Sequence, residues 1–288
     1  MQRAGARIYH LVNVFTRDGG LLTGNPLCVF EDGTGFATRD MQALALQFNL
    51  SETTFVFPAT ASSTATARVR IFTPNEELPF AGHPTLGTAH VLRRLRGGER
   101  LTLELAAGSV PVEARGDRWT LTAPPARHRP VAESRATLAA ALGLQPADVA
   151  DNAAAPPLWV STGTEQLLIP LNSREAVQRA APDPQRFLGI RSSQGNSMVG
   201  IFHDDGRGVG LRFFFKKGTG IDEDPATGSA CANLGGWFLA TGAGALERTV
   251  HQGDQILRPS TLLLQVGNDD QIRVAGDVAY LGRGELSL

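Results

Sequence analysis

Two stretches of the chain repeat one order of residue types. His83-Pro84-Thr85-Leu86-Gly87-Thr88-Ala89 and Asp224-Pro225-Ala226-Thr227-Gly228-Ser229-Ala230 both run polar residue, proline, two variable positions, glycine, hydroxyl, alanine. Proline favours the first helical position, where its missing N–H would have no intrahelical partner, so both stretches are predicted to open helices with His83 and Asp224 at the caps. Aspartate is a good cap and histidine a poor one, so capping accounts for Asp224 and leaves His83 unexplained, which hints at a function. A helix N-terminus exposes several N–H groups and about half a positive charge. Two of them facing each other across a cleft would hold a carboxylate. Gly87, Gly228 and the small hydroxyl residues beside them would let that ligand approach the backbone closely.

The elements that must position these stretches are themselves repeated. Each follows an apolar strand with an arginine in it, Val69-Arg70-Ile71-Phe72 and Leu211-Arg212-Phe213-Phe214, and each leads into a helix-like run. The two copies lie about half a chain length apart, as an internal duplication requires. Around them the chain reads as many short strands. Strand-like segments include Ile8 to Phe15, Pro26 to Phe30, Thr53 to Phe57 and Thr64 to Thr73, with a helix from Thr38 stopped at Asn49. Helices near Ser134, Ser173 and Asp183 interrupt the strands of the second half. The proline pair Pro124-Pro125 marks a boundary between halves at 1–126 and 127–274, with the last strand, about 275–288, available to complete the first. The expected fold is α+β: two similar halves, each an antiparallel curved sheet or barrel around its motif helix, with the active site in the cleft between them. A doubly wound α/β sheet is the weaker alternative.

Composition narrows the partners. The 288 residues, 42% hydrophobic, can bury a substantial core. With 27 basic and 28 acidic residues the net charge is −1, so no overall field draws the chain to nucleic acid or an anionic membrane, and a small-molecule partner is expected. Lys216 and Lys217 are the only lysines, which restricts Schiff-base chemistry to one of those two. Cys28 and Cys231 are too few and too scattered for a disulfide scaffold or a zinc site. No signal-type apolar segment lies in Met1 to Arg7 and no run of 18 apolar residues occurs, so a soluble cytoplasmic protein is expected. The glycine clusters lack G-x-G-x-x-G and P-loop spacing, which argues against NAD and ATP. G-x-S-x-G and H-E-x-x-H are also missing, which removes support for a serine hydrolase or a zinc protease. Neither a cofactor nor a metal is expected.

Glu77-Leu78-Pro79-Phe80-Ala81-Gly82-His83-Pro84 and Asp222-Glu223-Asp224-Pro225-Ala226-Thr227-Gly228-Ser229, in this order, resemble the two hallmark motifs of the phenazine-biosynthesis PhzF-like isomerase family. Gly24-Asn25-Pro26, Leu50-Ser51-Glu52-Thr53 and Gln252-Gly253 with Arg258-Pro259-Ser260 extend the resemblance over nearly the whole chain. It implies the diaminopimelate-epimerase fold, a homodimer and no cofactor. It further implies that Glu52 is the general acid/base and that His83 and Asp224 hydrogen-bond substrate polar groups beside Gly82. The Gly228 and Ser229 amides would then hold the substrate carboxylate. One carboxylate can take a proton from an activated carbon and return it elsewhere if it is shielded from water. Epimerases of this fold instead use paired cysteines at the two motif-helix starts, where this chain has His83 and Asp224. An amino- or imino-acid epimerase or racemase is therefore the alternative enzyme, and a relative that binds a small molecule without turnover is the third possibility. Phe213-Phe214-Phe215-Lys216-Lys217 departs from the family's frequent Phe-x-Pro after the second strand, so the resemblance does not carry over the local pocket shape.

Overall fold

A computed structural model describes residues 6–150, 152 and 154–287. Met1 to Gly5, where the expectation of a start without a signal-type apolar segment falls, and the positions Asp151 and Ala153 lie outside them. Contacts divide the chain into two units, Met1–Leu121 with Ala275–Leu288, and Thr122–Val274.

The first unit holds β1 (Ala6–Val14), β2 (Asn25–Phe30), α1 (Thr38–Phe48), β3 (Glu52–Phe57), β4 (Ala67–Phe72), β5 (Glu77–Leu78), α2 (Gly82–Arg96), β6 (Arg100–Leu105), β7 (Gly108–Arg115) and β8 (Arg118–Thr122). The second holds β9 (Arg127–Pro130), α3 (Arg135–Ala141), β10 (Leu158–Ser161), β11 (Glu165–Pro170), α4 (Arg174–Arg179), α5 (Pro184–Phe187), β12 (Met198–Asp204), β13 (Gly208–Lys217), β14 (Gly220–Asp224), α6 (Gly228–Ala240), β15 (Leu246–Gln252) and β16 (Ser260–Val266). The last strand, β17 (Ile272–Ser287), starts in the second unit and runs on through the first.

In the first unit β1 pairs with β2, β2 with β3, β3 with β4, β4 with β6, β6 with β7, β7 with β8, β8 with β17, and β17 returns to β1, which closes a barrel. In the second unit the run is β9, β10, β11, β12, β13, β15, β16. Antiparallel pairs dominate, and each unit adds two parallel ones: β2/β3 and β4/β6 in the first, β11/β12 and β13/β15 in the second. A parallel pair needs a crossover connection. Here α1 supplies one, α4 with α5 another, and the motif helices α2 and α6 the remaining two. Duplicated pairing therefore underlies the duplicated motif.

Each motif helix is wrapped by its own sheet. In α2 every residue from Gly82 to Leu92 is buried, and in α6 Gly228 and all of Ala230 to Phe238 are buried. Glycine permits this closeness. A Cβ at Gly87 would stand 2.5 Å from Leu27 Cδ2 and 2.9 Å from Val14 Cγ2, and one at Gly236 would stand 2.7 Å from Ala126 Cβ. Helix α1 covers β3 with Met41, Leu44 and Ala45 and stops where Asn49 turns left-handed at φ 51°.

The strand arginines close the hairpin ahead of each motif. Arg70 on β4 donates two hydrogen bonds to Glu77 on β5, at 2.7 and 2.5 Å. Arg212 on β13 does the same to Glu223 on β14, at 3.0 and 2.7 Å. The second pair is the more deeply buried, and Arg212 Nη1 also donates to the carbonyls of Val177, Gln178 and Ala180 at the end of α4.

Candidate active site

Both predicted cap positions are corrected by the structure. The first helix starts earlier than expected, at Gly82 with Ala81 as its cap. His83 and Pro84 thus lie inside the first turn, where Pro84's missing N–H costs nothing. The second helix starts later, at Gly228 with Thr227 as its cap. Asp224 cannot cap it because its backbone is still paired with Phe213 at the end of β14. The two motifs match in sequence, yet a two-residue β5 frees the chain early and a five-residue β14 holds it late.

In the first unit the structure brings Glu52 and His83 together. Glu52 is the first residue of β3 and His83 the second of α2, and Glu52 Oε2 stands 3.2 Å from His83 Nε2 without the alignment of a finished hydrogen bond. His83 is 5% exposed and the Glu52 side chain 14%. On the other face of the ring, Asn25 Nδ2 is 3.4 Å from Nδ1, and the Pro26 carbonyl also hydrogen-bonds the ring. Burial pushes the His83 imidazole down to about 3 against the opposing pull of the Pro26 carbonyl, so the ring is neutral at ordinary pH. A neutral ring has one N–H and one lone pair. With the hydrogen on Nε2 it faces a Glu52 carboxylate, and with the hydrogen on Nδ1 it offers its lone pair to a protonated Glu52. The pair can therefore accommodate the carboxyl in both of its protonation states. Gly82 lies at the start of the same turn.

In the second unit Asp224, Gly228 and Ser229 gather at the start of α6. Thr227 Oγ1 donates to Asp224 Oδ2 at 2.5 Å and accepts from Gln252 Nε2 at 3.0 Å. Gln252 Oε1 takes the Thr227 N–H at 3.0 Å, and its Nε2 also reaches the Asp224 carbonyl at 2.8 Å. Gly253 brings Gln252 into place: its φ is 81°, and a Cβ there would collide with the carbonyls of Arg258 and Pro225. The first N–H groups of a helix have no carbonyl within it, so those of Gly228 and Ser229 point away from its body. Ser229 Oγ is held from behind by Gln166 Nε2 at 2.8 Å.

Sequence reasoning missed Gln166, Asn233 and Thr162, which form a buried polar chain behind Ser229. One signal was available. Asn233 lies four positions after Ser229, one turn on along the same helix face, in an otherwise apolar run. The cysteines stay apart from the chemistry. Cys28 on β2 and Cys231 within α6 are both fully buried, and burial pushes both thiols up, away from the thiolate form. Among the described residues no group of three or more His, Cys, Asp or Glu could hold a metal ion, and no helix is long and apolar enough to cross a membrane.

Comparison with known proteins agrees with this architecture. The sequence model of the phenazine biosynthesis-like proteins, PhzC-PhzF, matches residues 12–284. An isomerase of Pasteurella multocida is 40% identical over 96% of this chain and 93% of its own. The trans-2,3-dihydro-3-hydroxyanthranilate isomerase of Pseudomonas chlororaphis is 31% identical over 98% of this chain and 100% of its own. The crystal structure of a PhzF-family protein of Bacillus anthracis superposes with a TM-score of 0.84 at 24% identity, covering 99% of this chain and 100% of that one.

Proposed function

We propose that this chain, which belongs to the PhzC-PhzF family of phenazine biosynthesis-like proteins, is a cofactor-independent isomerase that moves a proton on a small cyclic carboxylate. Glu52 is the group that removes the proton and returns it. The observation that carries this reading is the 3.2 Å approach of Glu52 to a histidine kept neutral by burial. A charged imidazolium there would stabilise the carboxylate and weaken it as a base. A neutral one leaves it basic and can still hydrogen-bond either protonation state.

In this scheme the Glu52 carboxylate takes a hydrogen from an activated ring carbon and becomes the acid. The electron pair left on the substrate delocalises along the ring, and Glu52, whose carboxyl proton exchanges with solvent, returns a proton at a different carbon. His83 and Asp224 hydrogen-bond the substrate's amino or hydroxyl groups beside Gly82, and the Gly228 and Ser229 N–H groups take its carboxylate. Positioned acid/base transfer supplies roughly 10²- to 10⁴-fold, and orientation with charge stabilisation at the helix start supplies the rest. The compound named for the Pseudomonas chlororaphis relative, a hydroxylated dihydroanthranilate, has the required ring, amino group and carboxylate. The buried, protonated thiols support a single carboxylate over paired cysteines. On the same reading the enzyme is a cytoplasmic homodimer.

The test is incubation with trans-2,3-dihydro-3-hydroxyanthranilate and a panel of amino and hydroxy acids in deuterated water, followed by NMR. Isomerisation of the cyclic carboxylate with no exchange at the α-carbon of the amino acids is expected. Exchange at an α-carbon with inversion would replace this reading by the epimerase.

A further inference from the structure

We propose that Gln166, Asn233 and Thr162 form a directional hydrogen-bond relay whose purpose is to turn the Ser229 hydroxyl into an outward donor for an anionic ligand group. This rests on the reading that Ser229 contacts the substrate carboxylate. The direction follows from two backbone groups whose roles cannot be exchanged. The Thr162 N–H must donate, so the Asn233 atom 2.7 Å from it is Oδ1, which also accepts from the Thr162 hydroxyl at 2.8 Å. The Thr164 carbonyl must accept, so the Asn233 atom 3.0 Å from it is Nδ2. That nitrogen lies 2.8 Å from Gln166, whose facing atom is therefore Oε1. Gln166 must then present Nε2 to Ser229 Oγ, at 2.8 Å. Both side-chain amides are thus locked against flipping. The bond from Gln166 fills an acceptor position on Ser229 Oγ and directs the serine's own hydrogen elsewhere.

The burial shows how firmly this is set. Asn233 is 0% exposed, Gln166 2% and Thr162 5%, whereas Ser229 is partly exposed. Buried amides are costly unless every bond is made, so the orientation set by the Thr162 N–H and the Thr164 carbonyl is carried through to the far end of the chain. That end is the partly exposed Ser229 at the helix start. Gln166, Asn233 and Thr162 are positioning residues, and Ser229 is the group that meets the ligand. A hydrogen bond to a charged acceptor makes loss of the donor cost about ten- to a hundredfold in affinity.

The experiment is a double-mutant cycle on the full-length protein, with anthranilate as the binding probe and trans-2,3-dihydro-3-hydroxyanthranilate as the turnover probe. Gln166→Met and Ser229→Ala should each weaken anthranilate about tenfold or more and lower kcat/KM by a similar factor. The double variant should bind no more weakly than Ser229→Ala alone. Gln166→Glu guards against a misfolded methionine variant. Its carboxylate draws the serine hydrogen inward and its neutral acid donates as the amide does, so affinity should recover as pH is lowered through the protonation of that carboxyl. Losses that add in the double variant, or a Gln166→Glu protein that binds like wild type throughout, would overturn the relay and leave the carboxylate site standing. Ser229→Ala binding like wild type, or a wild type that binds neither compound, would overturn the carboxylate placement and the relay with it.

Discussion

Replacing His83 with glutamine should change how stability depends on pH, by an amount the structure sets. Burial holds the imidazole down at about 3, whereas the unfolded chain binds that proton near 6.5. As pH falls below 6.5 the unfolded state takes up a proton that the folded state refuses. The contribution is fully present above 6.5 and is lost as pH drops toward 3, at about 1.4 kcal/mol per pH unit. Between about pH 6.5 and pH 4.5 the loss reaches roughly 2–3 kcal/mol, a large share of the ~5–15 kcal/mol that holds an ordinary domain folded. His90, held down at about 4 chiefly by burial, adds a parallel loss that both proteins share. Glu165, held at about 2 by its bonds from Arg129, contributes only below its ordinary range and leaves this window clear. Urea unfolding followed by the fluorescence of buried Trp119 and Trp159 at several pH values measures the slope directly. The variant's slope should be shallower by about 1.4 kcal/mol per pH unit. Equal slopes would mean that His83 is already protonated in the folded protein, and the neutral-imidazole argument for Glu52 would fall.

Iodoacetamide should leave the native protein active and unlabelled, and both cysteines should react only after unfolding; fast labelling of Cys28 or Cys231 with loss of activity would favour a thiol mechanism. Arg212→Ala strands the buried Glu223 carboxylate and three carbonyls, and a loss of about 3–5 kcal/mol in urea unfolding is expected. The same change at Arg70, whose pair is more exposed, should cost about 1 kcal/mol or less. Gly87→Ala drives a methyl into Leu27 and Val14 and should lower stability by about 1–3 kcal/mol, measurable as a drop in Tm.

Local chemistry made much of this legible in the sequence. The repeated proline–glycine stretches marked the two motif helices, and Asn49 stopped α1 where a left-handed residue was needed. The arginine on each pre-motif strand was visible, but its partner was not. Glu77 and Glu223 are found only once β5 and β14 fold back, and neither short strand has a periodicity of its own. The helix starts were misplaced for the same reason: Asp224 is bound to a ladder whose other half is Phe213, eleven residues earlier. Strand β9, with a proline and two arginines in four residues, looks like loop until β10 pairs with it. Glu52 was named by resemblance alone, since a glutamate after a helix and before a strand is ordinarily solvated. Its nearness to His83 depends on β3 and α2 packing together. The relay to Ser229 joins the β10–β11 turn, strand β11 and a helix, so only long-range packing assembles it.

The claim at the centre of this account is that one carboxylate carries the hydrogen, and solvent exchange in Glu52→Gln tests it most directly. Wild type with trans-2,3-dihydro-3-hydroxyanthranilate in deuterated water should give product carrying solvent deuterium at a ring carbon. Glu52→Gln should bind anthranilate with affinity near wild type while both product and deuterium incorporation fall by about 10² or more. A variant that binds normally and still turns over and exchanges at the wild-type rate would contradict it.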